Sequence, residues 1–336
     1  MKFKDYFTPK SMVYTGEHTN IKTTIKHYQY NAKEVIITDD FNKKEGYNHY
    51  IQVVGLSEVD KIMALKDIFP VEPLILEDVF NVSQRNKIDE RKDYIFAVFH
   101  VNFYKETIQE DYMSLLFFKD TIITFHEREP ECLEALYPLF ESYQELKERS
   151  SDFLFYQILD IITDSHIDLM EHNNVITEQI EEEILEYKSV DQEAFYQMRK
   201  NLLKLKSNVT PILTQLDKII QSPRGYISVE QFPYFDDLKD HLSRLDERLN
   251  DARELMRHLL DLHINNQSHK MNQIMKTLTL FSAIFIPLSF LTGFFGMNFV
   301  HFDLLKYEHA VTLFIVFCVS VAGFMVYLFK RMNWFK

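Results

Sequence analysis

The 336-residue sequence predicts an α+β membrane protein, with a mixed α/β domain, a long helical bundle and two C-terminal membrane-spanning helices. Three observations predict it. Thr277 to Phe295 and Val311 to Phe329 carry no charged residue, and each has about the length a bilayer-spanning helix needs. Tyr234 to Ile286 contains neither Gly nor Pro. The first 150 or so residues carry β-branched and aromatic runs typical of strands.

In order along the chain, Met1 to Lys10 is polar and lacks the apolar core of a signal peptide, so no cleaved leader is expected. Asp5 and the lack of an Arg-rich pattern argue against an organellar transit peptide. Residues 1–150 are expected to form a cytosolic α/β domain. Val35 to Thr38, Tyr50 to Val54 and Tyr94 to Val101 are predicted strands. Ser114 to Phe118 and Thr121 to Phe125 flank Lys119-Asp120 as a tight hairpin. Segments 61–68 and 72–80 are predicted helices. Residues 151–233 are expected to be antiparallel helices. Ile158, Ile161, Ile162, Ile167 and Leu169 have helical spacing, with a break at Ser189-Val190-Asp191 and a turn at Ser222 to Gly225.

Residues 234–276 form a predicted stalk helix running straight into a first span at 277–295. Together they make a rod of roughly 60 residues and roughly 90 Å at 1.5 Å per residue. Leu238, Leu242, Leu245, Leu249, Ala252, Met256 and Leu259 alternate steps of four and three, a heptad seam. Such a seam packs either on helices of its own chain or, nearer the membrane, on other copies. An outer loop at 296–310, a second span at 311–329 and a basic cytosolic tail at 330–336 complete the chain.

Charge sets orientation and excludes partners. Lys270 and Lys276 precede the first span and Lys330, Arg331 and Lys336 follow the second, whereas the loop between holds only Lys306 against Asp303 and Glu308. The positive-inside rule therefore places both termini in the cytoplasm. A net charge of −13 argues against nucleic-acid binding and suits attraction of cations. Cys132 and Cys318 are the only cysteines, too few for a disulfide framework or a thiolate metal cage.

Within the first span, Asn272, Met275, Leu278, Ser282, Ile286, Ser289 and Gly293 recur at three- and four-residue steps and so share one helix face. Phe281, Phe285, Phe290, Phe294 and Leu280 occupy the other faces and suit lipid or the second span. The striped face suits either close helix packing or the lining of a conduit. One hairpin cannot enclose a conduit, so a conduit requires several copies around an axis.

Four places resemble the CorA family of magnesium transporters. Phe294-Phe295-Gly296-Met297-Asn298-Phe299 matches the family signature at the outer end of the first span. Asn272 to Thr279, with Ile286-Pro287-Leu288, is similar to the family's pore entry and first span. Pro73-Leu74-Ile75-Leu76-Glu77-Asp78 with Asn81, Gln84-Arg85 and Lys87 matches a cytosolic signature, and Pro233 to Asp237 opens the long helix. Many members carry Met-Pro-Glu after the tripeptide; here Val300-His301-Phe302-Asp303 stands there, with Asp303 and Glu308 as acidic groups.

The resemblance implies a funnel-shaped homopentamer in the plasma (inner) membrane of a prokaryote, passing Mg²⁺ and in some members Co²⁺ or Ni²⁺. Mg²⁺ would be both transported and regulatory ion, with no other cofactor. Gly296, Met297 and Asn298 would form the ion-selective mouth. Mg²⁺ dehydrates reluctantly, and a ring of Asn298 amides with Gly296 carbonyls suits the waters of a hydrated ion. Asn298 alone also suits a polar helix cap. Asp78 and Asp237 fall at the family's regulatory metal positions across a subunit interface, and Asp261 would form an inner acidic ring. Read singly, Asp237 is ordinary helix-start chemistry and Asp261 a solvated face. Glu181 to Glu183 reads as a solvated face. His258, His263 and His269, at steps of five and six, read as structural, and His126 and Cys132 as incidental. No nucleophile–base pattern or nucleotide loop supports an enzyme. A ZntB-type zinc transporter or a non-conducting, membrane-anchored cation sensor would share the same architecture.

Overall fold

The computed structural model describes residues 12–188, 190–297, 307–332 and 334. The chain divides into two compact units, Met1–Arg257 and His258–Lys336. In the first, seven strands form one sheet: β1 (Thr24–Tyr30), β2 (Val35–Thr38), β3 (Asn48–Val54), β4 (Lys87–Glu90), β5 (Ile95–Tyr104), β6 (Ile108–Phe117) and β7 (Thr121–His126). Their order is β2-β1-β3-β7-β6-β5-β4. Only β3 and β7 run parallel, with Ile51 opposite Ile123; the other neighbours are antiparallel. The hairpin at Lys119-Asp120 is present and closes through Phe118 N–H to Thr121 O. β1 and β4 are additions to the sequence reading. Both alternate Lys, His or acidic residues with apolar ones, and neighbouring strands rather than their own composition make them sheet.

The central strands are buried on both faces because helices cover each. One face carries α1 (Val59–Met63) and α2 (Pro73–Phe80), whose Ile75, Leu76, Val79 and Phe80 pack with Ile51, Val53, Phe96, Val98, Leu116, Ile123 and Phe125. On the other face Tyr50 stacks on Phe140 of α3 (Tyr137–Ser142) at 5.7 Å. Beyond the short α4 (Gln144–Glu148), Phe117 stacks on Phe155 of α5 (Ser151–Leu185) at 5.0 Å. His126 and Cys132 are buried here. Burial holds the His126 imidazole down at about 3 and pushes the Cys132 thiol up, so both are inert core groups.

α5 ends at Leu185 and the chain returns as α6 (Gln192–Ile220), capped by the Asp191 carboxylate accepting from Glu193 N–H at 3.0 Å; Ser189 of the expected break lies outside the described residues. Buried amides fix α6 on the sheet. Asn208 Nδ2 donates to His100 O and to Asn102 Oδ1, and Asn86 Nδ2 donates to Asn208 O. Then α7 runs unbroken from Phe232 to Phe295, with Pro287 inside it, and α8 spans Ala310–Arg331. Among the described residues these two helices are long and apolar enough to cross a membrane.

The heptad seam of α7 is a core seam of its own chain. Leu238, Leu242 and Leu249 are fully buried and Leu245, Ala252, Met256 and Leu259 nearly so. The choice the sequence left open is therefore decided as far down as Leu259. Beyond it the residues of the helix are half-buried or exposed.

Candidate functional site

The membrane stripe is built by helical spacing alone. At 100° per residue, its seven positions from Asn272 to Gly293 fall within about one third of the helix circumference. Met275 is 54% exposed, Leu278 59% and Ile286 67%, and a Cβ added at Gly293 would meet no atom within 4 Å. Apart from Ser282 of the stripe itself, the less exposed positions of the span are Leu280, Ala283, Ile284, Pro287, Leu288, Leu291 and Phe295. They centre on the opposite face, where Phe295 meets Phe314 of α8 at 4.6 Å between ring centroids. The second span thus lies away from the stripe. Phe281, Phe285 and Phe290 are 60–70% exposed, so the choice of lipid or second span falls to an exposed surface for these three.

The helix ends where the tripeptide begins. Gly296 N–H donates to Thr292 O at 2.9 Å and Met297 N–H to Phe294 O at 3.2 Å, and the Met297 side chain is exposed. Asn298 and Asp303 lie outside the described residues.

Asp78 sits in the last turn of α2. Lys87 Nζ donates to its Oδ2 at 2.7 Å, and its backbone carbonyl accepts from the Gln84 amide. Asp237 sits in the second turn of α7, 62% exposed at its side chain, with His241 Nε2 4.0 Å from its carboxylate. Two aromatic anchors hold that turn. Phe235 is fully buried, and the Tyr234 hydroxyl accepts from Arg149 at 2.8 Å, whose guanidinium lies over both Tyr234 and Phe153. The Pro233–Asp237 motif therefore consists of anchors that aim a carboxylate outward.

Beside Asp237 lies an acidic strip that the sequence reading missed: Asp160, Asp164 and Asp168 at four-residue steps on α5. Burial and the charge of Asp164 push the Asp160 carboxyl up; burial and Asp168 do the same to Asp164, with His241 opposing. The signal was the i, i+4, i+8 spacing of Asp on a helix whose other faces are apolar. Within one chain, no three His, Cys, Asp or Glu among the described residues converge on a metal position. Asp261 is exposed on α7 below the seam, and Glu182 and Glu183 are exposed as expected of a solvated face. His258 and His269 are exposed, and His263 meets Gln267 at 3.3 Å.

A family model described as CorA-like Mg²⁺ transporter protein matches residues 50–331. This chain belongs to that family. The cobalt/magnesium transport protein CorA of Thermotoga maritima is 26% identical, over 97% of this chain and 96% of its own length. The complete structure of the CorA magnesium transporter from Methanocaldococcus jannaschii superposes with a TM-score of 0.78 at 20% identity, covering 94% of this chain and 99% of that one. The ZntB cytoplasmic domain from Vibrio parahaemolyticus gives 0.56 at 14% identity, over 74% of this chain and all (100%) of that one. The CorA fold thus extends over the α/β domain, the long helix and the second apolar helix.

Proposed function

We propose that this chain is a divalent-cation channel for passive uptake of Mg²⁺, with Co²⁺ and Ni²⁺ as further cargo, gated by cytosolic Mg²⁺. The observation that carries it is the uncovered stripe. On a face alternating Asn, Ser and Gly with Met, Leu and Ile, the apolar members Met275, Leu278 and Ile286 stay more than half exposed beside the chain's own second span. Several copies around an axis, five by resemblance, would turn those faces into a conduit.

In this reading residues 1–150 and 151–233 are cytosolic, 234–276 form the stalk, and 277–295 and 311–329 cross the membrane. The loop 296–310 is outside, and the tail 330–336 returns to the cytoplasm of a prokaryotic cell. Gly296 and Asn298 ring the outer mouth and accept hydrogen bonds from the waters of a hydrated ion; neutral acceptors release it readily. Met275, Leu278 and Ile286 form apolar constrictions that close by dewetting. An inside-negative potential supplies about 2.3 kcal/mol per charge per 100 mV, so roughly twice that for a divalent ion. No catalytic step and no resident cofactor enters this account.

Gating follows from the acidic surfaces. Asp78 on one protomer and Asp237 on its neighbour repel when bare, and a bridging ion stabilises the closed assembly by its preference for that state. The single chain supplies no three-ligand cluster among its described residues, which suits a site completed between protomers. Asp261 adds an acidic ring at the cytosolic approach.

Flux into proteoliposomes under an applied potential tests this reading, with Mg²⁺, Co²⁺, Ni²⁺ and Zn²⁺ compared. Mg²⁺ uptake that falls when millimolar Mg²⁺ faces the cytosolic side is expected. Zn²⁺ flux without Mg²⁺ flux would instead assign a zinc transporter, and no flux of any ion a sensor.

A further inference from the structure

Asp78 occupies an awkward place for a carboxylate. It lies in the last turn of α2, where the carbonyl ends of the helix carry partial negative charge and favour cations. That turn holds no basic residue of its own. The missing cation arrives from β4. Lys87 Nζ reaches Asp78 Oδ2 at 2.7 Å and lies 3.6 Å from Asp89 Oδ2. Its ammonium also sits 5.1 Å above the Phe96 ring, which holds the stem in place. The backbone of Lys87 is fixed too, paired with Val98 in the sheet. Both partners are half-buried: side-chain exposure is 20% for Lys87 and 29% for Asp78. Asp89 has a second cation in Arg91, at 3.9 Å, so Asp78 is the carboxylate most dependent on Lys87.

We infer that Lys87 is a tethered competitor for the divalent ion at Asp78. The ammonium occupies the carboxylate while the ion is absent, and it sets how much free ion is needed to take its place. This rests on reading Asp78 as a regulatory ligand. A divalent ion approaching Asp78 Oδ2 meets a fixed positive charge already on that oxygen, so it must displace the ammonium or bind against its repulsion. Either way the apparent affinity falls. The regulatory position proposed for Asp78 thereby gains a threshold set within the protomer. Lys87 acts through Asp78 and is a positioning residue, not an ion ligand.

The experiment is limited proteolysis of the full-length protein in mild detergent, with Mg²⁺ titrated and the midpoint of protection read. Lys87→Gln and Lys87→Met should lower that midpoint about fivefold, the fold-change equivalent to about 1 kcal/mol for a partly exposed ion pair. Lys87→Arg, which keeps the charge, should stay near the wild-type midpoint. Asp78→Asn should raise the midpoint, and Lys87→Gln added to it should change nothing further, because the competition is gone. Particle mass in Mg²⁺-free buffer checks that each variant assembles, and the Met variant keeps the apolar stem over Phe96. An unchanged or raised midpoint in Lys87→Gln and Lys87→Met, with Asp78→Asn still shifted, overturns the competitor role and leaves Asp78 as sensor. An unmoved midpoint in Asp78→Asn removes the sensor reading itself and this inference with it.

Discussion

The two halves of α7 follow the same three-and-four spacing and meet opposite fates. From Leu238 to Leu259 the seam positions are 0–8% exposed. Met275, Leu278 and Ile286 are more than half exposed, and the second span lies on the other side of the helix. What distinguishes them is not hydrophobicity but which neighbours the fold supplies. Along the first half α5 and α6 supply neighbours, with Phe155 and Tyr156 against Phe235 and the Thr210 hydroxyl donating to Asp246. Along the second half α8 covers one face and leaves the rest. A seam that ends inside its own protomer supports stability; a seam left open calls for other copies.

The largest expected effect concerns those copies. Mass measurement in mild detergent should show a pentamer, and a particle containing only monomers or dimers would break the contrast, since the open face would then serve lipid alone. Next, Asn298→Ala should abolish Mg²⁺ uptake into proteoliposomes while leaving assembly and membrane insertion unchanged. Normal flux would reduce the tripeptide to a helix end.

A paired substitution sharpens the comparison within the helix. Leu242→Ala, in the filled half, should cost about 2–5 kcal/mol of stability through lost burial and a residual cavity. Leu278→Ala, in the open half, should change protomer stability by less than about 0.5 kcal/mol and alter conductance instead. Thermal unfolding of both variants, with flux beside it, separates the two. Equal destabilisation would mean the open half is packed after all.

The smallest effect lies in the acidic strip. The folded-state pKa values of Asp160 and Asp164 are raised above the unfolded value, so the folded chain binds protons more tightly than the unfolded one. Stability from these groups is present below the ordinary Asp range and declines as pH rises through the raised values. Once ionised, the two carboxylates repel one another. Asp160→Asn should therefore stabilise the Mg²⁺-free protein at pH 7 by less than about 1 kcal/mol, after discounting for solvent screening. Glu110 behaves in the opposite sense. Hydrogen bonds from His100 and Lys204 hold it down at about 2, so its contribution persists at neutral pH and fades as pH falls from about 4.5 toward 2. A drop in thermal stability for Asp160→Asn at pH 7 would mean the strip is structural.

The sequence by itself determined whatever is written in local pattern. Two uncharged runs define the spans, because a bilayer admits only helices of that length and polarity. An uninterrupted 3.6-residue periodicity defines α7, and Lys119-Asp120 between alternating runs defines a hairpin. The striped face was equally legible, since helical geometry alone places Asn272 through Gly293 together. Only the tertiary structure decided which surfaces are filled. It assigned the Leu238–Leu259 seam to the protomer's own core, turned the second span away from the stripe, and added β1 and β4 as strands that their composition did not announce. It also brought Lys87 from a separate strand onto Asp78 and set Asp160 and Asp164 beside Asp237. These are meetings between residues on different elements, even where, as with Lys87 and Asp78, the chain separation is only nine residues. No local spacing encodes them, because they depend on which elements the sheet and the helices pack together.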